Sequence, residues 1–124
     1  MNEVRWRLNS SKGHGKTIVG YMRFTSTGES YFSSMDNEWV LYQDLTSPYW
    51  KGVRVTWDTM ELGINKSGAW LYENDAVECF NNELDGSIVG SLVCTKDGWK
   101  LRDMCHTTLQ WHDIENFKHC RKLA

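Results

Sequence analysis

Leu71-Tyr72-Glu73-Asn74-Asp75-Ala76-Val77-Glu78 decides the reading of the fold, because two short extended runs meet there at an acidic corner. Just upstream, Asn65-Lys66-Ser67-Gly68 is a turn, since Gly and Asn tolerate positive φ and Ser can bond its own backbone. Ala69 to Tyr72 is therefore a short strand, and Glu73-Asn74-Asp75 bends the chain. The extended run resumes from Ala76 to Phe80, with Ala76, Glu78 and Phe80 on one face and Val77 and Cys79 on the other.

The same punctuation recurs along the chain. Strand-like runs fall at Val4 to Leu8, Thr17 to Phe24, Ser30 to Ser34, Glu38 to Tyr42, Lys51 to Leu62, Ser87 to Lys96, Trp99 to Arg102 and Thr108 to His112. Turn clusters separate them at Asn9 to Gly15, Ser26 to Glu29, Asp36-Asn37, Asn81 to Gly86 and Asp97-Gly98. The last of these predicts a hairpin with a type I′ turn. Val4, Trp6 and Leu8 alternate with Arg5 and Arg7, the pattern of a strand with one solvated face, and Val53, Val55 and Trp57 alternate with Arg54 and Thr56 in the same way. Seven Trp, five Tyr and four Phe against a single Pro favour strands and a core of large rings. Regular short strands of this kind predict a mostly β barrel or sandwich. The tail carries a helical signal: Asp113 as cap, Ile114, Phe117 and Cys120 on one side, and Lys118, Arg121 and Lys122 near the C-terminal end.

At 124 residues the chain matches one domain able to bury a core without disulfides or metal. A net charge of -2 provides no global field to attract nucleic acid, although a local patch is compatible with it. No run approaches the ~20 apolar residues of a membrane helix, and the first residues are polar rather than signal-like, so a cytoplasmic protein with no membrane partner is expected. Cys79, Cys94, Cys105 and Cys120 are expected as reduced thiols in that setting.

Several constellations invite a chemical reading. Cys94, Cys105-His106, His112 and His119-Cys120 are ligand types suited to zinc, yet no CxxC or HxxxH pair occurs, and strand alternation sends Cys105 and His106 to opposite faces. Buried thiols and surface imidazoles are the plainer reading, and no metal or cofactor is assigned. Ser10 to Thr17 ends in Gly15-Lys16-Thr17, but Ser10 stands where a phosphate loop needs its first Gly and no strand-to-helix context follows. Glu73 and Asp75 share one side of an extended chain, as a hydrolytic pair would, but acidic residues at a turn more often bond backbone amides. No Ser, His and Asp stand in a nucleophile motif, so no catalytic residue is assigned.

Leu62-Gly63-Ile64-Asn65-Lys66-Ser67-Gly68-Ala69-Trp70-Leu71-Tyr72-Glu73-Asn74-Asp75-Ala76-Val77-Glu78 resembles the central signature of the YopX family of bacteriophage and prophage proteins. Glu3 to Leu8 is similar to that family's opening strand, Gly90 to Leu101 to its barrel hairpin, and His112 to Asn116 to its closing segment, which implies a strand continuing to Ile114 in place of a C-terminal helix. The motif positions are Gly63, Gly68, Tyr72, Glu73, Asp75 and Val77; Asn74 replaces the family's corner Gly, and Leu62 a Thr. The resemblance implies a single domain over residues 1–124: an SH3-like or partly open β-barrel at about 50–116 after a β-rich N-terminal section. It implies no defined chemistry.

On such a barrel, aromatic residues around a groove bind peptides or stack on bases. Trp39, Tyr42, Tyr49, Trp50 and Lys51 are the candidate partner-binding residues, with core filling the plainer role for Trp39, Leu41 and Trp50. The expected function is that of a non-enzymatic phage or prophage accessory protein binding a host protein, such as an inhibitor of a host defence. A nucleic-acid-binding module using Arg5, Arg7, Arg23 and Arg54 is the alternative, followed by a zinc-stabilised module or metal-dependent enzyme. Exposed aromatics and open strand edges equally suit a homo-oligomer.

Overall fold

The computed structural model describes residues 3–11, 15–33, 38–41, 49–50, 53–66, 68–82, 84, 86–103 and 110–123, with 49–50 and 53–54 described in their backbone alone. Among the described residues the protein is mostly β, built from two antiparallel sheets and a two-stranded ribbon, with neither large sheet closed into a barrel. The chain divides into two compact units, residues 1–63 and 64–124. Among the described residues no helix is long and apolar enough to cross a membrane.

In the first unit the strands are β1 (Val4–Ser10), β2 (Thr17–Phe24), β3 (Ser30–Ser33), β4 (Val40–Leu41), the ribbon β5 (Tyr49–Trp50) with β6 (Val53–Arg54), and β7 (Thr59–Lys66), which runs on into the second unit. The sheet order is β4-β3-β2-β1-β7. Alternation in β1 works as the sequence predicts on its apolar side. Leu8 packs with Met22 of β2 and Phe32 of β3, and Trp6, Phe24, Val55 and Trp57 close around them. The expected single run from Lys51 to Leu62 is instead two strands separated by residues 55–58. Asp58 explains the break: its backbone N–H donates to Asn9 O at 3.0 Å, and its carboxylate accepts from the Ser11 backbone N–H at 3.1 Å. Its side chain thus fastens the start of the β1–β2 loop, while its backbone N–H stays bonded to β1.

In the second unit the end of β7 pairs with β8 (Ala69–Tyr72), and a five-stranded sheet follows. Its strands are β9 (Ala76–Phe80), β10 (Ile88–Thr95), β11 (Gly98–Asp103), β12 (Gln110–Asp113) and β13 (His119–Lys122), in the order β12-β11-β10-β9-β13. Leu71, Val77, Cys79, Leu92, Leu101, Ile114, Phe117 and Cys120 form its core. The acidic corner is a tight turn: Asp75 N–H donates to Tyr72 O at 3.0 Å, and Asn74 has φ 72°, the single non-glycine positive φ among the described residues. Positive φ at the third position is the mark of a type II turn, which Asn tolerates. The corner extends the β9–β10 ladder, since Asn74 N–H donates to Leu92 O and Leu92 N–H to Asp75 O.

Two expectations for this unit are corrected. The hairpin at 95–98 is not type I′, because only Gly98 takes a positive φ (116°), whereas a type I′ turn needs two such residues. Thr95 pairs with Gly98 and its hydroxyl donates to Gly98 O at 2.7 Å, leaving Lys96 and Asp97 as the turn residues. The short C-terminal helix is absent: Ile114–Asn116 is one 3-10 turn, and the chain then enters β13. Ile114, Phe117 and Cys120 are all buried, so the three-residue spacing did mark a core face. It is met by a turn and a strand rather than by a helix.

Candidate binding face of the first unit

Residues facing each other across antiparallel strands lie on one face of a sheet. The register pairs Arg5 with Arg23, Arg7 with both Tyr21 and Glu61, Arg23 with Tyr31, and Tyr21 with Ser33. The side opposite the Leu8 core is therefore a polar face, and it is not the solvated surface that alternation alone predicts. Arg7, Asn9, Ser33 and Glu61 are buried. Glu61 accepts from Arg7 Nε at 2.8 Å and Asn9 Nδ2 at 2.7 Å through one oxygen, and from Lys16 Nζ at 3.1 Å through the other. A charge this deep is tolerable only with such partners.

Further along the face, Glu3 pairs with Arg5 Nε at 3.0 Å and also with Arg23. The two guanidinium groups lie over the ring of Trp39, 5.1 and 5.8 Å from its centroid, and Arg23 also lies 5.3 Å from the centroid of Tyr31. These are cation–π distances. Tyr31 donates its hydroxyl proton to Glu29, a bond that holds the phenol above its ordinary range. Trp39 leads directly into β4, the edge strand of this sheet, where Val40 and Leu41 are 48% and 56% exposed.

Two candidate sets thus converge: Trp39 from the aromatic segment and Arg5, Arg7 and Arg23 from the basic one occupy one unit and, for Trp39, Arg5 and Arg23, one cluster. Trp39 is half-buried against arginines rather than in the apolar core, and Leu41 is exposed where core filling is the plainer expectation. Tyr42 and Lys51 lie outside the described residues, as do the side chains of Tyr49, Trp50 and Arg54. The residues that sequence reasoning missed are Glu3 and Glu61, which neutralise the arginines. For Glu61, a carboxylate in a β-run able to pair with β1 was the available signal.

The other candidates are dispersed. Asp75 is buried, and its carboxylate accepts from Tyr72 N–H at 2.9 Å with Lys122 Nζ 3.8 Å away, a turn-fixing role. Of the motif positions, Tyr72 and Val77 are buried, Glu73 lies half-buried in the corner, Gly68 has φ 85°, and Gly63 lies within β7. Lys16, from the phosphate-loop-like segment, is committed to Glu61 in a connection between antiparallel strands. Of the zinc-type residues, His112 lies 3.6 Å from Asp103 and beside Phe117, His119 packs on Phe80, and burial pushes the Cys94 thiol up. Cys105 and His106 lie outside the described residues, among which no three His, Cys, Asp or Glu side chains converge as a metal site. No family model, curated protein or solved structure matches the chain.

Proposed function

We propose that the chain is a non-enzymatic binding protein that engages a partner protein through the β4 edge, and that it serves a phage or prophage in its host cell. The observation that carries the binding mode is β4 itself, an edge strand presenting Val40 and Leu41 to solvent next to an arginine-clamped Trp39. Open strand edges accept another strand by main-chain hydrogen bonding, and flanking apolar and aromatic groups supply selectivity. The clamp holds Trp39 in one position, so less side-chain freedom is lost on binding. The phage setting rests on the resemblance of the 62–78 segment.

Nucleic acid is the less favoured partner. Arg7 is buried and paired with Glu61, and Arg5 and Arg23 share Glu3, so three of the four nominated arginines already have carboxylate partners. Phosphate binding would have to displace those contacts.

Affinity capture of tagged protein from bacterial host lysate, with and without nuclease, tests the proposal against a Val40→Lys/Leu41→Lys variant. Lysine on an edge strand blocks strand addition. A stoichiometric, nuclease-resistant protein that is lost with the variant is the expected result. Recovery that vanishes with nuclease, or that the variant leaves intact, refutes it.

A further inference from the structure

Cys79 and Cys120 are 41 residues apart in sequence, yet β9 and β13 place them directly opposite each other with their sulfurs 2.6 Å apart in the core of the second unit. The ladder defines the type of site. Leu123 N–H donates to Ala76 O at 2.9 Å, which makes Ala76 and Leu123 a hydrogen-bonded pair. Bonded and non-bonded pairs alternate along antiparallel strands. Val77 with Lys122 is therefore non-bonded, Glu78 with Arg121 bonded, and Cys79 with Cys120 non-bonded. At non-bonded positions Cα atoms approach to about 4.5 Å, with side chains turned toward one another. That spacing lies within the range of about 4.4–6.8 Å over which disulfides form.

We propose that Cys79 and Cys120 are a redox pair, a modification site that closes into a cross-strand disulfide by exchange with a low-molecular-weight disulfide such as oxidised glutathione. Cys120 is the attacking group. It is the less deeply buried of the two and lies on the edge strand β13, where local opening admits a reagent. Its thiol is also the more acidic: the Cys79 S–H donates to its sulfur, and the Lys66 ammonium attracts the thiolate, whereas the same hydrogen bond and burial push Cys79 up. The Cys120 thiolate attacks one glutathione sulfur, forming a mixed disulfide and releasing a glutathione thiolate, which takes up a proton. Cys79 loses its proton and attacks the Cys120 sulfur, expelling the second glutathione. Two protein thiols are oxidised by two electrons, and one glutathione disulfide is reduced to two thiols.

The test uses the full chain, folded, with a Cys94→Ser/Cys105→Ser variant alongside. Each is incubated with oxidised glutathione, alkylated, digested without reductant and analysed by mass spectrometry. A Cys79–Cys120 linked peptide in both proteins, removed by dithiothreitol, is expected. A Cys79→Ser variant should retain glutathione on Cys120, and oxidation should slow amide exchange in β13 by at least about tenfold. The proposal is overturned if both thiols still alkylate after the treated protein is unfolded, or if the link forms only when oxidation is carried out in denaturant. Glutathione retained on Cys79 of a Cys120→Ser variant but not on Cys120 of Cys79→Ser would overturn the order of attack.

Discussion

Replacing Glu61 with Leu removes the single carboxylate on which Arg7, Asn9 and Lys16 converge. Lys16 is partly exposed and can turn to water, but Arg7 and Asn9 stay buried. Removing one partner of a buried ion pair costs about 3–5 kcal/mol, and the side-chain amide of Asn9 adds about 1–3 kcal/mol for a lost acceptor. Arg7→Leu/Glu61→Leu removes both charges of the pair, so the double variant should be more stable than Glu61→Leu alone. That reversal of order separates an ion-pair effect from mere loss of packing. Because the chain has two units, amide hydrogen exchange on β1 and β7 is the appropriate readout, since it follows the affected strands directly. If Glu61→Leu lowers protection by less than the equivalent of about 1 kcal/mol, or if the double variant is the less stable, the reasoning fails and the cluster does not hold β1 to β7.

Gly90 lies between β9 and β11, and a Cβ there would fall 2.8 Å from the Arg102 carbonyl carbon and closer still to its oxygen. Backbone cannot yield as a side chain does, so Gly90→Ala should cost at least about 1–3 kcal/mol; an unchanged melting temperature would contradict this. Asn74→Gly should be nearly neutral, while Asn74→Ala should lose about 1–2 kcal/mol because of the positive φ, and equal denaturant midpoints for the two would refute the assigned turn. Glu78 accepts hydrogen bonds from Ser87 and Arg121, which hold its carboxyl below the ordinary range. The unfolded chain therefore binds the proton more readily, so this contribution is present above the ordinary carboxylate pKa and disappears as pH falls through the lower folded value. Glu78→Gln should flatten that acid limb of the stability curve; a limb of unchanged steepness would remove Glu78 as its source.

Much of the fold was legible because short-range rules governed it. The runs at 69–72 and 76–80 and the strand at 17–24 have the expected limits, since alternation and flanking turn residues act within a few positions. Asn74 took the left-handed corner for a reason internal to its own side chain. What escaped was set from a distance. A three-residue apolar spacing at 114, 117 and 120 fits a helix as well as a turn followed by a strand, and the choice depends on β13 finding β9. The candidate site was half legible: alternation put Arg5 and Arg7 on one face, but Glu61, 54 residues from Arg7, decided that this face is buried and paired. Trp39 emerged from the aromatic segment for a reason the sequence did not display, the guanidinium groups beneath its ring.

The return of β13 to β9 also bears on the sequence of events during folding. From β9 to β12 each strand pairs with the next in the chain, so that meander assembles through short loops. A nascent chain synthesised only as far as β12 has β9 at its margin, with the backbone groups of Ala76, Glu78 and Phe80 unpaired on one side. Such an edge recruits other chains. Residues 119–122 thus serve as a self-supplied chaperone strand, and slowing translation just before them should raise aggregation more than a pause placed after them.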